Sequence, residues 1–166
     1  TKYGKKEVSI IALLFSSVLY LTLYFLNIQN VWLYLFLMFL ATLGASLFNL
    51  MIWAFISDVI DYHQYTTYLR EDGTIYAVNS FARKIGQSLA GGLGGILLSI
   101  IGYNSSKNST TTQTDEVMQR IYDMSNLSPS ILLFISFIIL ALFYPLNKST
   151  VTKISNVLNV RNNKNQ

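Results

Sequence analysis

Lys84 is the residue that most needs a chemical explanation. It lies about eleven residues into a stretch of apolar and small residues from 73 to 101, which is ~16 Å of helix. If that stretch crosses a bilayer, the ammonium group sits near mid-membrane, where a cation costs roughly 3 kcal/mol on insertion scales. A cation at that depth needs a carboxylate or a water-filled cavity. The other long apolar stretches carry no carboxylate at depth, so the partner of Lys84 is expected from outside this chain. Ser80, Lys84, Gln87 and Gly91 recur at helical spacing and share one face. Asn79 and Arg83 form an adjoining strip, roughly 100° further round the helix. Such a polar stripe suits a hydrated path for a polar solute. The same groups would also serve as an ion pair and hydrogen-bonding glue between helices. Gly91 and Gly95 form a GxxxG pair, whose plain meaning is close helix packing. A phosphate-binding glycine loop is excluded, because these glycines lie inside an apolar span.

A second group is Asp58 and Asp61, three apart at the end of another apolar stretch. The helix macrodipole disfavours acids at a C-terminus, so the pair invites a cation. Arg70 and Arg83 are the candidates. A salt-bridged gate explains these four residues better than acid–base catalysis does, and solvated loop charges are the plainer alternative. His63 and Tyr65 are read as ordinary loop residues. The chain has no cysteine and one histidine, which removes thiol chemistry, disulfides and the usual soft metal sites. No combination of nucleophile, base and metal ligands suggests an enzyme, and no cofactor is expected.

The elements that must position these residues follow from composition. Hydrophobic residues make up 52% of the chain and charged residues 12%, against roughly 25% charged in a soluble domain. From Val8 to Ser57 there is no Asp, Glu, Lys or Arg. That run is too long for one crossing of a hydrocarbon core of ~30 Å, which needs about 20 residues. It splits at Asn27-Ile28-Gln29-Asn30. Lipid offers no partner to free backbone groups, so the spans must be helical. The expected fold is all-α, a polytopic membrane helix bundle with about four transmembrane helices at 8–26, 31–57, 73–101 and 129–146. A polar connection at 58–72 joins the second and third. A polar segment at 102–128 joins the third and fourth, with a short helix capped by Thr114. Pro129 suits the first turn of the last span and Pro145 its exit. In the tail, 147–166, Val151, Ile154 and Leu158 share a face suited to a membrane surface, and the last residues are expected to be disordered.

Four spans put both termini and the 58–72 connection on one side. That side holds Lys2, Lys5, Lys6, Arg70, Lys148, Lys153, Arg161 and Lys164, whereas Lys107 and Arg120 fall on the other. The lysine-rich side is expected to be cytoplasmic, in a multi-pass protein of the cell membrane. The net charge of +4 is then topological marking, and no nucleic-acid partner is expected. Tyr20, Tyr24, Trp32 and Tyr34 cluster at the outer end of the first hairpin, as an aromatic belt or as core packing. Asn104-Ser105-Ser106 and Asn108-Ser109-Thr110 match the glycosylation sequence, a weak signal in an Asn- and Ser-rich loop. Thr1 is not an initiator methionine, which is taken to mean a piece of a longer protein.

The segment from Ser57 to Tyr103 reads SDVIDYHQYTTYLREDGTIYAVNSFARKIGQSLAGGLGGILLSIIGY. It resembles the glycoside–pentoside–hexuronide:cation symporters, the melibiose-carrier type within the major facilitator superfamily. Their pattern is an acid-x-x-acid-Tyr turn, a polar loop with an arginine and acids, then a glycine-rich helix carrying Arg-Lys-x-Gly-Gln. Lys2-Tyr3-Gly4-Lys5-Lys6 and Phe143-Tyr144-Pro145-Leu146 extend the likeness to both ends. The resemblance implies helices nine to twelve of a twelve-helix transporter that moves a sugar or glycoside with Na+ or H+ by alternating access. It implies that Lys84 contacts cation-binding carboxylates of a missing N-terminal half. It further implies that Asn79 and Ser80 line the cation and sugar sites, and that Asp58, Asp61 and Arg70 form a cytoplasmic gate. A bacterial plasma membrane is the implied location. The competing expectation is a self-contained four-helix membrane protein whose polar stripe makes structural or regulatory contacts.

Overall fold

The computed structural model describes residues 4–103 and 113–164. Lys2, Lys107, the Ser109–Thr112 run and both glycosylation sequences lie outside them. Five helices follow in order: α1 (Lys5–Leu26), α2 (Val31–Thr67), α3 (Asp72–Ile100), α4 (Asp115–Phe143) and α5 (Lys148–Lys164). The described residues contain no strand.

The α1–α2 turn is built by its asparagines. Asn27 takes the left-handed conformation at φ 41, which asparagine tolerates better than most residues. The Asn30 side chain then caps α2, accepting from the N–H groups of Trp32 and Leu33 at 3.0 and 3.3 Å.

Helix α1 is the hub, packed against α2 on one side and α4 on the other. Small residues make part of its contact with α2, beside Tyr20 and Leu23, which pack on Ala41. Ser9, Ala12 and Ser16 of α1 are buried, as are Ala41 and Gly44 of α2. A Cβ added to Gly44 would sit 2.9 Å from the Ala12 carbonyl oxygen and collide with Ser16 Oγ. Dispersion and close backbone approach hold such pairs in an apolar medium, where water supplies no drive. The α1–α4 contact is polar at two points. Ser17 and Ser130 exchange hydrogen bonds, each hydroxyl donating to the other residue's carbonyl at 2.9 Å. Nearer the turn, the Tyr122 hydroxyl donates to the Leu23 carbonyl at 2.7 Å and accepts from the Ile28 N–H at 3.2 Å. It thus pairs backbone groups left over where α1 ends. Tyr20 is buried and Tyr34 packs on Tyr122 with ring centroids 5.4 Å apart, whereas Trp32 is exposed. Only part of that aromatic cluster is therefore packing.

Helices α1, α2 and α4 are long and apolar enough to cross a membrane. Helix α3 has 29 residues, about 43 Å at 1.5 Å per residue, so its length suffices. Arg83, Lys84, Gln87 and the glycines dilute its apolarity, and it stands apart from the other three.

The helix ends differ from the sequence expectation in three places. Helix α2 continues past Ser57 to Thr67, so most of the 58–72 connection is helical. Leaving an apolar medium does not end a helix, and nothing between Ser57 and Thr67 breaks one. Helix α4 starts at Asp115 rather than Pro129. Thr114 caps it, accepting from the Val117 N–H at 3.4 Å, and Pro129 lies inside one continuous helix. The tail is helical through Lys164, and its apolar face is used within the chain. Ile154 and Leu158 bury themselves against Leu146, with Tyr144 and Val151 beside them. Protein rather than a lipid surface covers that face.

Candidate functional site

The candidate residues fall into two groups, one along α3 and one around the turn from α2 to α3. Among the described residues, no residue of α3 is buried. Ser80, Lys84 and Gln87 are exposed, and Lys84 makes no hydrogen bond or ion pair among the described residues. The glycines Gly91 and Gly95 have nothing within 4 Å of an added Cβ, so they pack against nothing among the described residues. Both features give α3 a bare face with a charge and a smooth glycine surface on it.

Asn79 and Arg83 face inward from the adjoining strip. They line a crevice between α2 and α3 with Asn49, Ile52, Trp53 and Ala82. Asn49 was not singled out from the sequence. Its signal was available, as a strongly polar side chain inside the charge-free run from Val8 to Ser57. Asn79 also edges a larger apolar groove bounded by α2, α3 and the end of α4. Arg83 is thus placed beside Asn49 and Trp53, and no ion pair joins it to Asp58 or Asp61 among the described residues.

At the turn, Asp58 and Asp61 have separate partners. Asp58 is buried, with 6% of its side chain exposed, and accepts from Lys5 Nζ at 2.7 Å. A buried carboxylate needs such a cation to offset its lost hydration. Asp61 lies 3.6 Å from Arg70 Nη1. Arg70 also reaches Asp72, Nε to Oδ1 at 3.1 Å, and donates to Gln64 Oε1 at 3.0 Å. His63 Nε2 lies 3.7 Å from Glu71 Oε2. One guanidinium therefore gathers groups from the end of α2 and the start of α3.

The sequence reading missed the role of the first lysines. Lys5 binds Asp58, and Lys6 Nζ donates to the carbonyls of Ala141 and Tyr144 at 3.1 and 2.6 Å. Lys6 thereby caps the C-terminal end of α4, where the helix dipole favours a cation. The two adjacent lysines of α1 tie down α2 and α4. Nothing local signals this, because the partners lie 53 and 135 or more residues away in sequence.

A family model described as "MFS/sugar transport protein" matches residues 1–148. The "Putative sulfoquinovose importer" of Escherichia coli (strain K12) is 31% identical over 164 residues, covering 98% of this chain and 34% of the relative. The "Uncharacterized symporter YjmB" of Bacillus subtilis (strain 168) is 34% identical over 144 residues, covering 87% of this chain and 30% of the relative. The "Glucuronide carrier protein homolog" of Escherichia coli (strain K12) is 29% identical over 159 residues, covering 93% of this chain and 34% of the relative. The chain thus spans about a third of the length of the curated relatives it matches. No solved structure matches it.

Proposed function

This chain belongs to the MFS/sugar transport protein family, a family of membrane transporters and not of enzymes, and from that premise we propose that it forms the C-terminal part of a sugar:cation symporter. The names of the relatives, importer, symporter and carrier, support a sugar or glycoside as cargo. Alternating access would be driven by Na+ or H+, with the substrate near mid-membrane between two halves.

The observation that carries this reading is the exposed Lys84, unpaired among the described residues, on a helix with no buried residue. A cation at membrane depth requires a counter-charge or water, and the preceding part of the transporter would supply carboxylates that also hold the coupling cation. Ser80, one turn from Lys84 on the same face, would line that shared cavity, and Asn79 would border it from the α2–α3 crevice. Arg83, next to Lys84 in sequence, stands in that crevice with Asn49 and Trp53, whereas Asp58, Asp61 and Arg70 lie toward the α2–α3 turn, on the side proposed to be cytoplasmic. Arg70 makes half-exposed ion pairs there, each worth about 0–1 kcal/mol. Pairs that weak suit a contact that must break in every transport cycle. The self-contained bundle gains no support from α3, whose glycine face meets nothing among the described residues.

The test is uptake by the full-length transporter carrying Lys84→Ala. Coupled uptake should fall about a hundredfold or more while expression is kept, as expected when one partner of a desolvated charge pair is removed. Lys84→Arg should retain part of it. Normal uptake by Lys84→Ala would overturn the role given to this lysine.

A further inference from the structure

Helix α2 ends in an unusual way. Its last turn carries no basic residue, although the C-terminal end of the dipole favours one. Tyr68 then turns the chain with φ 62, a left-handed conformation that is a genuine outlier for a bulky side chain. Its N–H donates to the Gln64 carbonyl at 3.1 Å, which closes the helix. Two residues further on comes Arg70, whose guanidinium draws together Asp61, Gln64 and Asp72. The direction the chain takes at Tyr68 therefore sets where Arg70 stands.

The missing cation comes from α5. The Arg161 guanidinium carbon lies 4.3 Å from the centroid of the Tyr68 ring and 5.5 Å from that of Tyr65. Its Nη1 reaches the Tyr65 carbonyl at 3.5 Å. Helix α5 is held in that position by Ile154 and Leu158, buried against Leu146 just beyond α4. The middle of α5 is thus anchored on Leu146 in the link that follows α4, with the helix laid against α2. One turn beyond Leu158, Arg161 stacks its cation on the strained residue that closes α2.

We propose that α5 is a strap that couples the C-terminal tail to the α2–α3 turn, with Arg161 holding Tyr68 in its left-handed conformation and so positioning Arg70. Arg161 is a positioning residue and touches no substrate. The strap rests on the transporter reading only for its purpose, since a gate that opens would have to loosen this stack.

The full-length transporter, made without other cysteines, would carry Leu69→Cys at the exposed position next to Tyr68. The alkylation rate by a membrane-impermeant maleimide would be measured in inside-out vesicles. Arg161→Ala should raise that rate about two- to fivefold, the range of an exposed cation–π contact. Arg161→Lys should fall between the two. In a Tyr68→Gly background, where glycine takes the left-handed conformation freely, Arg161→Ala should add nothing. Unchanged labelling in Arg161→Ala, or an equal increase in the Tyr68→Gly background, overturns the strap. Sugar uptake by the Leu69→Cys parent is measured in parallel. A parent that labels but takes up no sugar counts against the transporter reading, while the labelling comparison still decides the strap.

Discussion

At the scale of residues, the Lys5–Asp58 pair is asymmetric. The Asp58 side chain is 6% exposed and that of Lys5 is 46% exposed. Removing Lys5 leaves a carboxylate buried without compensation, whereas removing the charge of Asp58 leaves a lysine that water can reach. Lys5→Ala should therefore destabilise by about 3 kcal/mol and Asp58→Asn by about 1 kcal/mol. The double variant should be less damaged than Lys5→Ala alone. Thermal unfolding of the detergent-solubilised transporter would show the order, and equal losses from the two single variants would contradict it. The same logic makes Lys84 the residue of interest on α3, because its charge has no counterpart among the described residues. That difference between two lysines could not be read from their types. Lys5 stood in the sequence as one member of a basic run, and its partner came 53 residues later.

At the scale of elements, the glycines divide into two kinds. Gly44 is where α1 and α2 meet, with the Ala12 carbonyl oxygen 2.9 Å from an added Cβ. Gly44→Val should cost about 1–3 kcal/mol through overpacking, read as a lower unfolding temperature of the transporter. Gly44→Ala should follow the same direction. The Ser17–Ser130 exchange holds the opposite side of α1. A cycle of Ser17→Ala, Ser130→Ala and the pair should give a coupling of about 0.6 kcal/mol, typical of hydrogen bonds between membrane helices. Additive losses would mean that each hydroxyl acts alone. Sequence reading drew the eye to the glycine-rich run of α3, because four glycines close together are conspicuous. The small residues that pack within this chain stand apart in the sequence, Ser9, Ala12 and Ser16 on α1 and Ala41 and Gly44 on α2. Their pairing across two helices appears only when both helices are placed.

At the scale of the whole molecule, α1, α2 and α4 form a packed unit with α5 laid across its end, and α3 is held by little. Helix α3 carries a mid-length lysine without a partner and a glycine face without a contact among the described residues. If the preceding part of the transporter completes it, leucine at Gly91 and Gly95 together should weaken assembly with that part by tenfold or so, whereas these positions touch nothing here. Co-purification of the two parts expressed as separate chains would measure this, and undiminished recovery would contradict it. The sequence by itself determined the helical membrane class and the hairpin at Asn27–Asn30. Those follow from hydropathy and turn chemistry, both of which are local. Only the tertiary structure decided that α2 and α4 run on beyond the apolar stretches. It also decided that Lys5, rather than Arg70 or Arg83, holds Asp58, that Asn49 joins Asn79 and Arg83, and that the tail packs on its own chain. Each of these depends on which residues meet across helices, and the pattern along one helix does not specify its neighbour.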